Sequence, residues 1–195
     1  YRTSANLDRR SDLHARFSVN PYGWHSWVFD QLDLPDDADI LELGCGPAYL
    51  WAKNSHRLPD GWSITLTDFS RGMVGVARKG VGSSGGQIRY AVSDATAIPF
   101  PESTFDAVIA NHMLYHVLER DRALRDVSRV LKPGGTLYAA TNGRTHLREL
   151  FDLANQFDPE RAADGRGGKG FGLQNGGDQL ARHFTDVSIV RYEDG

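Results

Sequence analysis

The sequence predicts a doubly wound α/β domain, a mostly parallel sheet with helices on both faces. The first observation is alternation. Short apolar runs at Asp39–Leu43, Ser63–Thr67, Ile88–Val92, Phe105–Ala110 and Thr136–Thr141 are bounded by Gly, Pro or Asp and separated by segments of helical or turn character. The second is the glycine-rich turn Gly44-Cys45-Gly46-Pro47-Ala48, which follows the first run directly. The third is a repeated acidic signal: Glu42, Asp68 and Asp94 each stand at or just past the C-terminal end of one of the first three runs. Ligands of open α/β sheets sit beyond the strand ends, so these carboxylates outline a nucleoside-binding crevice.

Taken in order, residues 1–38 form an N-terminal helical cap. Leu7, Leu13 and Phe17 alternate with Arg9, Arg10, Asp12 and Arg16 at helical spacing. Asn20-Pro21-Tyr22-Gly23 breaks that pattern, and Trp24, Trp27, Val28 and Phe29 begin a second, more apolar helix. Residues 39–195 form the ligand-binding domain. Between its fourth and fifth strands, Glu119–Leu131 reads as a helix burying Leu124, Val127, Val130 and Leu131. Lys132-Pro133-Gly134-Gly135 stops it, because proline cannot continue a helix and glycine accepts the left-handed cap. The glycines between Lys79 and Gln87 mark a flexible connection. Those between Asp164 and Gly177 mark a surface loop or a lid over a substrate. Val187–Arg191 reads as a closing strand.

Composition narrows the function. The chain has 195 residues, enough for one domain with a full core. A formal net charge of −3 supplies no global field for nucleic acid. No apolar run approaches the ~20 residues of a membrane helix, so no membrane insertion is expected. The single cysteine, Cys45, excludes an internal disulfide and suits a reducing cytoplasm. The first residue is Tyr1, not Met, so the N-terminus is expected to be trimmed.

The glycine turn separates two nucleotide chemistries. A dinucleotide fingerprint G-x-G-x-x-G starting at Gly44 needs a third glycine where Tyr49 stands, and Tyr49 would block a pyrophosphate. The pattern acidic-x-G-x-G-x-small is instead met by Glu42, Gly44, Gly46 and Ala48. That pattern resembles the first motif of the class I S-adenosylmethionine-dependent methyltransferases, with Ala48 in place of the more usual third glycine. Asp68 matches the family's ribose-binding carboxylate, which accepts from two hydroxyls. Asp94-Ala95 resembles the adenine-binding motif, the side chain taking the amino group and the following N–H reaching a ring nitrogen. Ile98-Pro99-Phe100, Phe105-Asp106-Ala107-Val108 and the Leu131–Leu137 turn are similar to the family's small-molecule branch, which includes the ubiquinone and menaquinone biosynthesis enzymes. The resemblance covers residues 39–141 and implies a Rossmann-like fold. The cofactor it implies is S-adenosylmethionine, with S-adenosylhomocysteine as product, held by Glu42, Gly44, Cys45, Gly46, Asp68, Phe69, Met73, Asp94, Ala95 and Asn111. Phe69 and Met73 are expected to offer apolar surface near the adenine. Cys45, inside the turn, reads as a small filler and not as a nucleophile.

Methyl transfer needs positioning and, for some acceptors, removal of a proton. After the fourth strand comes Asn111-His112-Met113-Leu114-Tyr115-His116, on the crevice side. Histidine is the side chain whose ordinary pKa lies near neutral, so His112 or His116 is a candidate general base. Their four-residue spacing has no third ligand nearby, so no metal is expected. Asn20-Pro21-Tyr22 lacks the second proline of the DNA amino-methyltransferase box and precedes the first motif, so it reads as a turn. The N-terminal helices of related enzymes wall off the acceptor, which makes Tyr22, Trp24 and Tyr115 candidate acceptor-binding residues. The expected activity is methylation of a small natural-product, quinone-like or lipid-like molecule. The alternative is a non-catalytic domain that binds the cofactor or its product for regulation. The family's sheet has seven strands, so the natural protein is expected to continue beyond Gly195 by about ten to twenty residues, enough for one more strand.

Overall fold

The computed structural model describes residues 12, 16–82, 87–143, 146–157 and 170–194. Five strands form one sheet: β1 (Asp39–Leu43), β2 (Ser63–Asp68), β3 (Gln87–Val92), β4 (Phe105–Asn111) and β5 (Leu131–Ala140). All neighbours pair in parallel, in the order β3-β2-β1-β4-β5. The chain winds outward from β1 to β3, then returns to the other side of β1 for β4. The topological switch therefore lies between β1 and β4, where such sheets open a crevice at their C-terminal ends.

Burial on both faces explains the near-continuous apolar strands. On one face Ile40, Ile64, Leu66, Ala107 and Ile109 pack with helices α1 (Trp24–Asp30), α2 (Tyr49–Lys53) and α3 (Arg71–Val81), through Val28, Phe29, Leu50, Trp51, Ala77 and Val81. On the other, Leu41, Leu43, Val108 and Phe105 meet Ala123, Val127 and Val130 of α4 (Arg120–Val130). Helix α3 starts at Ser70, whose hydroxyl accepts the Met73 N–H. Helices α5 (Arg148–Phe157) and α6 (Gly176–Leu180) follow β5, and the sequence-based expectation contains neither.

The structure corrects three expectations. Strand β5 begins at Leu131, not Thr136: Leu131 already pairs with Phe105, and the register shift before Ala107–Thr136 absorbs Lys132–Gly135. Val187–Arg191 is not a strand. It pairs with nothing among the described residues, and Ile189 and Val190 stay exposed; apolar alternation alone does not make a strand. The described end of the glycine-rich segment is anchored, since Phe171 is buried against Ala110, Leu114 and Leu124. The expected amphipathic helix around Leu7–Phe17 lies largely outside the described residues. Among the described residues, no helix is long and apolar enough to cross a membrane.

Candidate functional site

The strand order β3-β2-β1 places Asp94, Asp68 and Glu42 side by side along the C-terminal rim. The turn after β1 is built from left-handed backbone: φ is +63° at Gly44, +53° at Gly46 and +59° at Ala48. Only the last carries a side chain, and alanine in this region costs roughly 1–2 kcal/mol. Gly44 has a second reason to be glycine: a Cβ there would lie 2.8 Å from the Met113 Cβ. The Cys45 N–H donates to the Thr67 carbonyl at 2.9 Å, which ties the turn to β2. Cys45 is buried, and burial raises its thiol far above the ordinary value, as expected of a filler.

Asp68 is half-buried, and both of its oxygens are in use. Oδ2 accepts the Gly46 N–H at 2.9 Å and Oδ1 accepts the Ser70 N–H at 2.8 Å. A carboxylate has about four acceptor sites, so two ribose hydroxyls still fit. Asp94 is exposed; its Oδ1 accepts the Thr96 N–H and hydroxyl, both at 2.8 Å. Oδ2 takes no hydrogen bond among the described residues and Ala95 is buried beside it, so the turn itself leaves an acceptor on the rim. Phe69 is 76% exposed, an apolar ring standing open beside Asp68. Met73 is a correction: at 1% exposure it lies inside the protein and offers the rim no surface.

Glu42 is 3% exposed, on the face covered by α2, where Trp51 Nε1 donates to its Oε2 at 2.5 Å. Burial pushes its carboxyl up to about 8, against the hydrogen bonds with Trp51 and Asn111, and the Asp68 charge adds to the rise. Glu42 and Asn111 thus bridge β1 and β4 at the topological switch. A cationic ligand would relieve this acidic, poorly solvated corner.

Past Asn111 the chain turns sharply. His112 adopts φ +51°, a left-handed conformation that histidine tolerates better than most residues, and its N–H donates to the Ala140 carbonyl at 3.0 Å. Its ring lies 5.1 Å from Trp24 and 6.5 Å from Tyr115. His116 is exposed, with its ring 4.5 Å from that of Tyr115. The structure therefore joins His112, Trp24 and Tyr115 and leaves His116 on the outer side. Tyr22 stands apart: it is 52% exposed, and its hydroxyl donates to the Asp30 carboxylate.

Two neighbours of this site had no signal in the sequence. His25 stands on α1, half-buried, with its ring 5.9 Å from Tyr49; burial, then the charges of Lys53 and His112, lower it to about 4. Tyr192 packs 5.3 Å from both Trp24 and Trp27. Neither residue lies in a motif, and only the folded chain brings them here. No group of three or more metal-ligating side chains occurs among the described residues.

Comparison with known proteins points the same way. A family model described as "methyltransferase domain" matches residues 41–139. The ubiquinone/menaquinone biosynthesis C-methyltransferase UbiE of Shewanella sediminis is 31% identical over 135 residues, 67% of this chain and 54% of that protein. The chain spans about half the length of the curated relatives it matches. Among solved structures, a SAM-dependent methyltransferase of Methanosarcina mazei is 30% identical with a TM-score of 0.52, over 64% of this chain and 62% of that one. A Bacillus halodurans protein assigned as a methyltransferase shares the fold, with a TM-score of 0.63 at 19% identity, over 82% of this chain and 67% of that one.

Proposed function

We propose that this chain, which belongs to the class I S-adenosylmethionine-dependent methyltransferase family, methylates a small, planar, quinone-like or phenolic molecule in the cytoplasm. The observation that carries the reading is the ordered row of Asp94, Asp68 and Glu42 on adjacent parallel strands, beside a left-handed backbone turn with no room for a Cβ at Gly44. Asp94 and Ala95 would hold the adenine, with Phe69 against its face, and Asp68 the ribose. Gly44 and Gly46 would let the backbone approach the ligand closely. Glu42 and Asn111 form the corner suited to the cationic methionine end. The bound cofactor supplies an electrophilic methyl on a sulfonium; transfer breaks the sulfur–carbon bond, forms the bond to the acceptor and leaves a neutral thioether.

The chain's part is then to place the acceptor in line and to take the proton it loses. His112 serves as that base, since it leaves β4 at the crevice and touches Trp24, and His116 is the second, outer candidate. Trp24 and Tyr115 flank His112 and form the acceptor wall. The printed activity of the UbiE relatives supports a quinone-like acceptor.

Calorimetric titration with S-adenosylhomocysteine and with NAD tests the cofactor, and release of S-adenosylhomocysteine from a panel of phenols and hydroquinones tests the transfer. Binding of NAD with none of S-adenosylhomocysteine would sink the reading. Cofactor binding without turnover on any acceptor would favour the regulatory alternative.

A further inference from the structure

Tyr192 is the most anomalous side chain near the site. Its ring meets Trp24 edge-on, at 5.3 Å and 82°, and lies 5.3 Å from Trp27, while those two tryptophans stack at 5.5 Å. Its hydroxyl is buried and has no hydrogen-bond partner among the described residues. A buried donor without a partner disfavours the state that holds it and regains its bonds in water. Besides the Tyr192 ring contacts, exposed hydrogen bonds hold the segment that delivers Tyr192. Asp194 Oδ1 accepts from Val19 N at 2.9 Å, Asn20 N at 3.1 Å and Ser18 Oγ at 3.0 Å, and the Glu193 carbonyl accepts from Asn20 Nδ2 at 3.0 Å. All four bonds are exposed, so water replaces them when the strap lifts.

We propose that residues 192–194 are a strap whose Tyr192 phenol occupies the acceptor's own slot, so that a planar, neutral phenol-like ring binds on Trp24 and Trp27 by displacing it. The inference rests on the methyltransferase reading and narrows its acceptor. A phenol already fits the slot, and Trp24 also contacts His112, so a ring seated there lies beside the group that takes its proton.

The test is calorimetric titration of 1-naphthol into the parent, Tyr192→Ala and Asp194→Ala, each with and without saturating S-adenosylhomocysteine. The strap hides the slot in proportion to its closed population, so emptying the slot should tighten 1-naphthol binding about tenfold. Loosening the pin through Asp194→Ala should tighten it several-fold, while S-adenosylhomocysteine affinity stays at the parent value in both variants. Adding Trp24→Ala to Tyr192→Ala should abolish 1-naphthol binding. Unchanged or weaker 1-naphthol binding in the variants, or none in any protein, overturns the proposal. Asp194→Ala alters only an exposed residue and decides the matter if Tyr192→Ala fails to fold. A parent that does not bind S-adenosylhomocysteine would instead overturn the methyltransferase reading, and the titrations without it still report on the slot.

Discussion

The Asp68 carboxylate reaches from the end of β2 to the turn after β1, where its Oδ2 accepts the Gly46 N–H at 2.9 Å. The residue matched to ribose binding therefore also fixes the glycine turn, and its other oxygen holds the Ser70 N–H at the start of α3. Asp68→Ala should weaken S-adenosylhomocysteine binding by roughly 1.5–3 kcal/mol, the scale of hydrogen bonds to a charged group. Loss of two backbone partners should also lower stability, by about 1–2 kcal/mol given its partial exposure. Calorimetry and urea denaturation measure the two effects. Parent-like affinity would reduce Asp68 to a structural clamp.

Gly44→Ala should be severe for two separable reasons. The backbone there is left-handed at φ +63°, and the new Cβ would meet the Met113 Cβ at 2.8 Å. The expected loss is roughly 2–4 kcal/mol of stability. Met113→Ala shortens the opposing side chain but keeps its Cβ, so the double variant should recover only part of that loss. A double-mutant cycle in urea measures the coupling. A fully stable Gly44→Ala protein would contradict the geometry.

The acidic rim and its glycine turn were legible in the sequence because they are written locally. Glu42, Gly44 and Gly46 follow one strand, and Asp68 and Asp94 follow the next two, so strand pattern and turn chemistry suffice. The acceptor side is different. Tyr192 reaches Trp24 only through tertiary packing, from a position with no periodicity or motif, and the fold alone brings His25 of α1 within reach of His112. Met73 misled for a related reason: closeness to Asp68 in sequence says nothing about which way a helix turns its side chains, and Met73 points inward. Val187–Arg191 has strand-like residues but pairs with no strand among the described residues, and pairing, unlike composition, is not local.

His112→Asn separates catalysis from folding better than alanine does, because asparagine tolerates the left-handed backbone His112 adopts at φ +51°. Once an acceptor is found, this variant should lose about 10²–10⁴ in rate and the acidic limb of its pH–rate profile, with stability retained. His116→Ala should change the rate little, since His116 is exposed, its ring against Tyr115. The reverse ranking would move the base to His116.

Glu42 makes the unliganded fold less stable at alkaline pH. Its carboxyl ionises near 4.5 in the unfolded chain but is pushed up to about 8 by burial in the fold. Between those values the folded state holds the extra proton, so stability falls as pH rises. Glu42→Gln keeps an acceptor for Trp51 and removes the ionisation. Relative to the parent, it should gain stability progressively between pH 5 and pH 8, on the order of 4 kcal/mol in all. Urea midpoints across that range test it, and a pH-independent difference would show that Glu42 does not stay protonated in the fold.

His25 acts in the opposite direction. Burial first, then the Lys53 and His112 charges, lower it from 6.5 to about 4. Between those values the unfolded chain binds a proton that the fold refuses, so stability rises with pH through this window and is lost as pH falls from about 6.5. The whole contribution is roughly 3 kcal/mol, and Glu42 opposes it over much of the same range, so the parent alone shows a flattened profile. His25→Gln removes one of the two slopes. The variant gives up the ring contact with Tyr49 and should be less stable than the parent at pH 7. The gap should narrow as the pH is lowered toward 4, because only the parent then pays for a histidine that must stay neutral. Circular dichroism melts at steps from pH 7 to pH 4 read that convergence directly. Parallel profiles for the two proteins would mean that His25 takes up its proton without penalty, and hence that its ring is open to water in the fold.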